Sequence, residues 1–442
     1  VIVFGDANFG ILPRDVEIAQ HVRKLYEETK SFSRVHMYWA KIAKPHMVDI
    51  GKALGHLTQT YVAFQSLDPE VLANIKRRNI RTDELVKLID QLQEFTDAAQ
   101  TDILVGLPGE TYDSHLRSLD SALDLGINLI HGGEIRMLPG SEMDSEETRT
   151  TFAIKTKYRF FEGGYGMYRG QFVYELEEGI RATSTMSEEE MLKLRALRAF
   201  FYAGVTLGEH LPLVSYLRTR GIRFTRVCEQ MVNEGLADPR FGPSVRWLIE
   251  TSRNEWHATE EAAADYVAQG ENRRGLLEDS MFVKLNTGFL AKIYLEPEQY
   301  MAYYDVLARV ITKLDPTVDQ QVLGELLDIC RNRNYLIKCL RGDFASTRLT
   351  FEISRATQEV LVEAQFLTEQ DAQLNPGKIS LSVNPTTAEF CATYVNDHPR
   401  MNNMELSQVL LLQAGRFLMK PRKRAESRLT ADHLITMPAE VS

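Results

Sequence analysis

The sequence has few cysteines, and no pattern joins them. Four occur in 442 residues, at Cys228, Cys330, Cys339 and Cys391, and they lie far apart. This spacing gives no disulfide framework and no C-x-x-C motif, which excludes a small disulfide-bonded fold and a zinc site built from cysteines. The cysteine usage predicts a reducing, cytoplasmic setting.

Long apolar runs and an excess of basic charge are also missing. No apolar run reaches the ~18 residues that a membrane helix needs, and no secretory signal is visible. The net charge is −10 and the pI is about 5.6. Nucleic acids and anionic membranes both attract basic surfaces, so we predict no nucleic-acid partner and no membrane partner.

Several catalytic signatures are absent as well. Without G-x-G-x-x-G or G-x-x-x-x-G-K-[ST], neither a dinucleotide-dependent oxidoreductase nor a Walker-type nucleotide site is supported. The ten histidines include no H-E-x-x-H, so we predict no metal site made by this chain alone, and no serine lies in a G-x-S-x-G elbow. The chain begins at Val1 rather than at methionine, inside what reads as a core strand. We therefore expect that an N-terminal portion is missing.

Short apolar runs alternate with helical patterns over the first 145 residues. Short apolar runs between turn signals are typical of buried strands. The predicted strands are 1–4, 35–40, 60–64, 103–105 and 127–130, the last with an extension towards Met137. Five helices are predicted between and after these strands. The first starts near Pro13, with Ile18, Val22, Leu25 and Tyr26 on one face, and the second contains Val48, Ile50 and Leu54. The third spans 69–76, the fourth contains Leu85, Leu88, Ile89 and Leu92, and the fifth contains Leu116, Leu119 and Leu123.

Five strand–helix alternations in such a short stretch predict an α/β fold with a parallel sheet and right-handed crossovers. A repeat of roughly 25–30 residues fits a closed or partial (βα) TIM-like barrel. A doubly wound sheet is the alternative.

The pattern changes after residue 145. Residues 158–174 are rich in aromatic side chains and glycine and predict a covering loop or arm. Residues 187–190 predict a capping-box helix start, with helical patterns to about 280. Near the end, 348–353 and 379–383 alternate like half-buried strands. We expect three regions: the partial barrel at 1–145, an arm with a helical extension at 146–280, and an α+β region of unknown role at 281–442.

Polar residues follow the ends of successive predicted strands. In a parallel sheet or barrel these ends lie on one side, where ligands bind. A carboxylate or amide there can bind an ammonium or hydroxyl group, and an arginine can clamp a carboxylate. Each residue alone has a plainer interpretation, since a lone Asp or Ser at a strand end is more often a turn or cap; the repetition favours a site. The candidates are Asp6, Asn8, Lys41, Gln65, Ser66, Arg77, the stretch 106–110, Glu134 and Arg136.

Four segments in this order resemble one enzyme family. The segment 1–9 looks like the second barrel strand of radical S-adenosylmethionine (radical SAM) enzymes, particularly the branch with an N-terminal cobalamin-binding domain. The segment 64–77 resembles the family's fourth-strand motif, and 104–111 resembles its Gly-Leu-Pro-Gly-Glu-Thr segment. The segment 138–143 resembles the stretch after the sixth strand. The resemblance is specific over residues 1–145, weaker in the helical part, and absent from the last 150 or so residues.

The resemblance implies contacts to S-adenosylmethionine (SAM) from the first strand ends. Asp6, with Asn8, would hold the methionyl amino group. Gln65 and Ser66 would contact the ribose or the carboxylate, and Arg77 would contact the carboxylate. A carboxylate suits an ammonium, and a guanidinium suits a carboxylate.

Further contacts are implied at the next strand end. The backbone around Val105 and Gly106 would pack on the adenine, because glycine lets the backbone approach a ligand closely. Glu110 belongs to the same predicted cofactor-binding set. Met186 and residues 160–174 are the best candidates for a region covering the substrate.

The sequence departs from the family in one respect. The family's [4Fe-4S] cluster is held by a C-x3-C-x2-C loop after the first strand, which this chain lacks. We expect that loop, and the domain for a possible cobalamin, upstream of Val1. The chain would then be the C-terminal portion of an enzyme that cleaves SAM reductively or methylates through cobalamin, inactive on its own. Such an enzyme implies a small-molecule or metabolite substrate and an electron donor such as flavodoxin or ferredoxin. The alternative is a degenerate, cluster-less barrel that serves as a binding or partner subunit.

Overall fold

The computed structural model describes residues 2–6, 8–32, 34–39, 45–58, 60–61, 64–77, 99–127, 129–278, 285–399, 405–406, 409 and 417–421. Contacts divide the chain into two units. The first contains Val1–Leu104, Ser114–Gly133 and Ala425–Ser442, and the second contains Val105–Asp113 and Glu134–Arg424. Lys41 and the predicted helix through Leu85, Leu88, Ile89 and Leu92 lie outside the described residues.

The first unit alternates strands with helices, as the sequence predicts. Its elements are β1 (Ile2–Val3), α1 (Arg14–Thr29), β2 (Val35–His36), α2 (Pro45–Leu54), a 3-10 turn (Gly55–Leu57), β3 (Thr60–Tyr61), α3 (Pro69–Asn74), β4 (Ala99–Asp102), α4 (Tyr112–Asp124, shared with the second unit) and β5 (Leu129–His131).

All strand pairs described in this unit are parallel. β1 pairs with β2, and β3, β4 and β5 form a second sheet in chain order. The mixed helix-and-strand character and the parallel pairing are therefore confirmed. The partial barrel stays a prediction, since the described residues form two separate short sheets.

Several predicted boundaries and faces in this unit are wrong. The strand predicted at 103–105 lies earlier, at β4, because the ladder is formed by Ala99–Asp102, three of which are polar, and the apolar residues follow it. In the first strand Val3 is 63% exposed rather than buried. In α1 the predicted Val22 and Tyr26 are buried, together with Asp15 and Ala19, whereas Ile18 is 37% and Leu25 36% exposed.

The predicted covering loop is in fact a β-hairpin. β6 (Lys155–Tyr168) and β7 (Gln171–Ala182) pair antiparallel over nearly their whole length. The turn that joins them contains Gly170 at φ +81°. Alternation of aromatic residues with polar residues, rather than a loop, explains the composition, because successive strand side chains point to opposite faces.

The rest of the second unit is mostly helical. It contains a 3-10 turn (Glu142–Asp144), α5 (Glu146–Thr151), α6 (Glu188–Phe201), a π-helical turn (Tyr202–Thr206), α7 (Leu211–Thr219), α8 (Phe224–Ala237), α9 (Gly242–Asn254), α10 (Glu260–Ala268), α11 (Gly270–Glu278), α12 (Leu285–Leu295), α13 (Pro297–Leu314), α14 (Gln320–Asn332) and α15 (Tyr335–Leu340). Over the described helices, none is long and apolar enough to cross a membrane.

A small α+β part ends the described chain. It comprises β8 (Arg348–Glu352), α16 (Arg355–Glu363), α17 (Glu369–Leu374), β9 (Lys378–Ser382), α18 (Pro385–Asp397) and β10 (Lys420–Pro421). β9 pairs antiparallel with both β8 and β10. Both strands predicted in this region are therefore confirmed to within a residue. The four cysteines are buried thiols within the described ranges.

The start of α6 is held by the predicted capping box. The Ser187 hydroxyl accepts the Glu190 N–H at 3.3 Å, and the Glu190 carboxylate accepts the Ser187 N–H at 2.8 Å. Replacing Ser187 by Ala is expected to lower the free energy of unfolding by about 1 kcal/mol, because the first-turn N–H loses its acceptor. Ser187→Thr, which keeps the hydroxyl, should stay close to the original stability. Urea unfolding of both variants measures the difference, and equal losses would contradict the cap assignment.

Candidate functional site

The first candidate pair forms a tight local turn. The Asp6 carboxylate accepts the Asn8 N–H at 2.8 Å, and both residues are exposed. The neighbouring Phe9 is buried and forms a parallel bridge with Trp39. The observed contact of Asp6 is therefore that of a turn-forming Asp, while its role towards a ligand stays a prediction.

The second candidate pair follows β3. The Gln65 carbonyl accepts the Leu104 N–H at 3.0 Å, which holds this strand end beside the next one. The Ser66 hydroxyl is fully buried, accepts the Asp68 N–H at 3.1 Å and lies 3.5 Å from the Ser118 hydroxyl. Asp68 in turn caps α3 by accepting the Val71 N–H at 3.3 Å. Ser66 thus anchors the start of the following helix.

Arg77 follows the end of α3. Lys76 has φ +54°, a left-handed conformation that ends the helix, and the Arg77 N–H donates to the Leu72 carbonyl at 2.9 Å. Arg77 is half-buried. Asp6, Asn8, Gln65, Ser66 and Arg77 all belong to the first unit.

The remaining cofactor candidates form one closed turn in the second unit. Glu110 is fully buried, and its carboxylate accepts the Gly106 N–H at 2.8 Å. Gly106 has φ +91°, and a Cβ there would stand 3.2 Å from Met191 Cε and 3.4 Å from Ile180 Cγ2. Val105 bridges in parallel to Glu134. Gly106 is thus required by the backbone conformation and by the side chains packed against it.

The Glu110 contact gives a direct test of this turn. Glu110→Ala is expected to destabilise the chain by about 1–3 kcal/mol, since the buried Gly106 N–H loses its acceptor. Glu110→Gln keeps an oxygen acceptor and should lose clearly less. Chemical denaturation followed by circular dichroism compares the two. Indistinguishable losses would show that the carboxylate's bond to Gly106 is not what stabilises the turn.

Glu134 and Arg136, the last pair of candidates, lie in a dense ionic cluster. We call it the arginine cluster and define it by four arginines, three glutamates and one tryptophan. Its members are Arg136, Arg159, Arg181, Arg195, Glu134, Glu177, Glu255 and Trp256.

Glu134 is the centre of this cluster. Its Oε1 accepts from Arg181 Nη1 at 2.6 Å, and its Oε2 lies 3.3 Å from Arg195 Nη1 and 3.6 Å from Arg159 Nη1. Arg181 is only 1% exposed. Burying such charges costs several kcal/mol per ion unless they are paired and hydrogen-bonded. The close guanidinium contacts therefore hold Glu134 ionised in the interior.

Glu177, Glu255 and Trp256 complete the cluster. Glu177 pairs with Arg159, and its Oε2 lies 2.5 Å from Arg136 Nε. Glu255 lies 3.1 Å from Arg159 and 3.5 Å from Arg195. The Trp256 ring lies 4.5 Å and 4.7 Å from the guanidinium carbons of Arg159 and Arg181. Stacking on an indole face suits guanidinium groups, which are planar and weakly hydrated.

The cluster shifts the titration of Glu134. Burial alone would raise the pKa of the Glu134 carboxyl, but the charges of Arg195, Arg159 and Arg181 outweigh burial and lower the pKa to about 2. Burial likewise opposes the charge of Arg159, yet Glu255, Glu134 and Glu177 raise the pKa of its guanidinium. Glu134 and Arg159 are therefore both ionised at neutral pH.

The Glu134 shift predicts a particular acid dependence. In the unfolded chain its pKa is 4.5 and in the folded chain about 2, so the folded state binds fewer protons between these values. Its contribution to stability is complete above about pH 4.5 and is lost as the pH falls towards 2. The stability advantage of the native chain over Glu134→Gln should shrink by about 2 kcal/mol between pH 6 and pH 3. Urea titrations at both pH values measure this, and parallel pH profiles would contradict it.

Six cluster residues were not predicted from the sequence: Arg159, Glu177, Arg181, Arg195, Glu255 and Trp256. A signal for part of the set was available. Glu177 and Arg181 flank Gly179 at alternate positions of β7, and all three residues are buried. Gly179 lies between them because a Cβ there would stand 2.3 Å from the Trp256 ring. Charged residues at alternate positions of an otherwise aromatic strand indicate a polar inner face.

The cysteines do not fit an iron–sulfur cluster. In the described ranges, no three His, Cys, Asp or Glu side chains stand together as a metal site would require. A cluster needs several cysteine thiolates in one place, and the four thiols are spread over buried positions of the second unit. We therefore derive no reaction step through a cluster held by this chain.

Comparisons with known proteins find a partial similarity. No protein-family model matches the chain. Two curated relatives match over 155 residues, 34% of this chain and 23% of each relative. One is the cobalamin-dependent radical SAM methyltransferase TokK of Streptomyces tokunonensis, at 31% identity. The other is 2-(S-pantetheinyl)-carbapenam-3-carboxylate methyltransferase of Streptantibioticus cattleyicolor, at 30% identity. The chain is therefore similar to a radical SAM methyltransferase and to a second methyltransferase over about a third of its length, and it spans about a quarter of either relative.

Two solved structures are also similar in part. Radical SAM methyltransferase TsrM from Kitasatospora setae has a TM-score of 0.29 at 14% identity, covering 36% of this chain and 32% of that one. The radical SAM enzyme coproporphyrinogen III oxidase (HemN) from Escherichia coli has a TM-score of 0.25 at 14% identity, covering 43% of each chain.

Proposed function

We propose that this chain supplies the SAM-binding strands of a radical SAM methyltransferase. The observation that carries the proposal is the 31% identity over 155 residues to a radical SAM methyltransferase. The ordered strand-end motifs of residues 1–145 support the same assignment. Under this proposal these residues form the family's partial barrel.

The proposed SAM contacts are the candidates at the strand ends. Asp6 and Asn8 would bind the amino group, Gln65 and Ser66 the ribose or carboxylate, and Arg77 the carboxylate. An ionised Asp accepts hydrogen bonds from an ammonium, and a guanidinium donates two to a carboxylate.

The adenine side of the ligand involves the turn closed by Glu110. Val105 and Gly106 would place backbone against the adenine, and Glu110 would fix the Gly106 N–H. Because the Gly106 α-carbon already faces Met191 and Ile180, its contact with a ligand would come through the peptide groups.

The chemistry itself requires groups from outside these residues. A [4Fe-4S] cluster would supply the electron that cleaves SAM, and three thiolates from a segment beyond these 442 residues would have to hold it. Cobalamin, where used, would carry the methyl group. A small-molecule substrate and a flavodoxin- or ferredoxin-like electron donor are further parts of the proposal, as is a cytoplasmic location.

The test uses the product of the complete gene, reconstituted anaerobically with iron and sulfide. We expect cysteine-ligated iron and consumption of SAM under reducing conditions. Asp6→Ala and Arg77→Ala should weaken SAM binding at least tenfold, measured by equilibrium dialysis. Arg220→Gln, which changes a surface pair with Asp315, serves as the matched control. Reconstituted protein that binds no SAM would refute the proposal.

A second function is favoured by the cysteine positions. A cluster-less barrel acting as a binding or partner subunit needs no thiolate loop, and this chain has none. Iron analysis of the complete gene product separates the two. Protein that binds SAM or a partner chain but incorporates no iron would favour the subunit.

A further inference from the structure

The buried centre of the arginine cluster holds N–H groups without an acceptor among the described residues. They are Arg181 Nε and Nη2, Arg195 Nε and Trp256 Nε1. Glu188 Oε1 lies 3.6 Å from Arg181 Nε, which is too long for a hydrogen bond. Buried donors that lack a partner cost about 1–3 kcal/mol each. Four of them in one place indicate that an acceptor belongs there.

The charges of the cluster point in the same direction. With the Lys157–Glu188 pair at its edge, the described cluster contains five cations and four carboxylates, which leaves one positive charge. The one cluster acceptor without a well-aligned donor, Glu177 Oε2, lies 2.5 Å from Arg136 Nε. The unmet groups are therefore donors, and the group that complements them is an anion.

The exposure of the cluster residues decreases from the surface to the interior. The Arg136 side chain is 46% exposed, and Lys157 and Glu188 are partly exposed. Arg159 and Arg195 are more buried, and Arg181 forms the innermost part. Arg136 is therefore the side from which a compact oxyanion would reach the cluster, and the inner guanidinium groups would meet its charge. Bidentate geometry makes arginine the preferred partner of carboxylate and phosphate.

The cluster adjoins the turn that the proposed function assigns to SAM. Glu134 bridges in parallel to Val105. Arg195 lies one helical turn beyond Met191, whose Cε faces Gly106, so both side chains lie on one side of α6. An anion held by Arg181 and Arg195 would therefore lie next to the proposed adenine side.

We propose that the arginine cluster binds a carboxylate or phosphate group of the substrate. That the anion belongs to a substrate rests on the proposed function. The anion site itself rests on the unpaired donors, the net charge and the exposure described above. It gives the substrate an acidic group, and it makes Arg195 and Arg181 specificity-determining residues.

The test titrates the full chain with sodium phosphate and with sodium acetate at constant ionic strength set by chloride. Binding is followed by calorimetry and by tryptophan fluorescence, with Trp256→Phe identifying the local signal. We expect saturable binding that is at least tenfold weaker in Arg195→Gln and partly retained in Arg195→Lys. Arg220→Gln removes one positive charge at the surface, as Arg195→Gln does in the cluster, and this variant should bind the anion like the native chain. The anion that binds more tightly, phosphate or acetate, indicates whether the substrate carries a phosphate or a carboxylate group.

Three outcomes would overturn the inference. Absence of saturable binding by either anion would mean a closed ion-pair cluster only. Equal weakening in Arg220→Gln would mean non-specific charge screening, and unchanged binding in a folded Arg195→Gln would place the anion elsewhere. Dialysis with SAM on the complete gene product is a separate measurement. Anion binding without SAM binding would refute the proposed function alone, and the reverse result would refute this inference alone.

Discussion

Replacing Arg181 by Met is expected to lower the free energy of unfolding by about 3–5 kcal/mol, the largest effect of any single change in the arginine cluster. Arg181 is 1% exposed, and its Nη1 donates to Glu134 at 2.6 Å. Methionine has a roughly similar volume, so most of the loss reflects the buried Glu134 carboxylate deprived of its closest partner. Urea unfolding at pH 7 measures the loss.

A double variant separates charge from packing. Arg181→Met combined with Glu134→Met removes the inner pair together, and apolar residues of similar volume often replace buried ion pairs at little cost. The double variant should be more stable than the sum of the single losses predicts, by about 1–3 kcal/mol. Arg253→Met, whose partner Glu189 is exposed, is the surface control and should change stability by less than about 1 kcal/mol. A similar loss at Arg253 and Arg181 would contradict the buried-pair argument.

Replacing Gly132 by Ala is expected to destabilise the first unit by at least about 3 kcal/mol, through steric overlap and backbone strain together. Gly132 follows β5 with φ +127°, a conformation that residues with a Cβ rarely adopt. A Cβ there would stand 2.1 Å from the Ile103 carbonyl oxygen. That oxygen belongs to the backbone following β4, so it cannot move aside as a flexible side chain could.

The neighbouring glycine provides the matched control. A Cβ at Gly133 would meet nothing within 4 Å. Gly133→Ala should therefore stay within about 0.5 kcal/mol of the native stability. Thermal and urea unfolding of both variants test the contrast. Equal behaviour of the two variants would show that the approach of Ile103 to Gly132 does not constrain the chain.

The alternation of strands and helices could be predicted from the sequence because it follows from local periodicity. The α6 capping box and strands β8 and β9 were predicted for the same reason, since each depends on residues only a few positions apart. Strand ends were less predictable. The ladder of β4 uses Ala99–Asp102, and it is pairing with β5 rather than apolar character that decides which residues take part.

The hairpin of β6 and β7 shows a different limit. Its aromatic and glycine content suggested a loop, but pairing of each half with the other turns the segment into two long strands. Composition does not reveal this pairing, because the contacts join residues up to 27 positions apart, as at Lys155 and Ala182.

The sequence by itself determined the mixed α/β character of the first 145 residues, the helical part that follows, and the resemblance to radical SAM enzymes, because these depend on short segments and their order. It also singled out Glu134 and Arg136, since both follow a predicted strand. Only the tertiary structure brought Arg159, Arg181, Arg195 and Trp256 to them. Arg159 and Arg181 lie on the hairpin, Arg195 lies on α6, and Trp256 follows the end of α9, 122 positions from Glu134 in the chain. Only packing of these elements creates the buried, charge-paired interior in which the unpaired N–H groups lie.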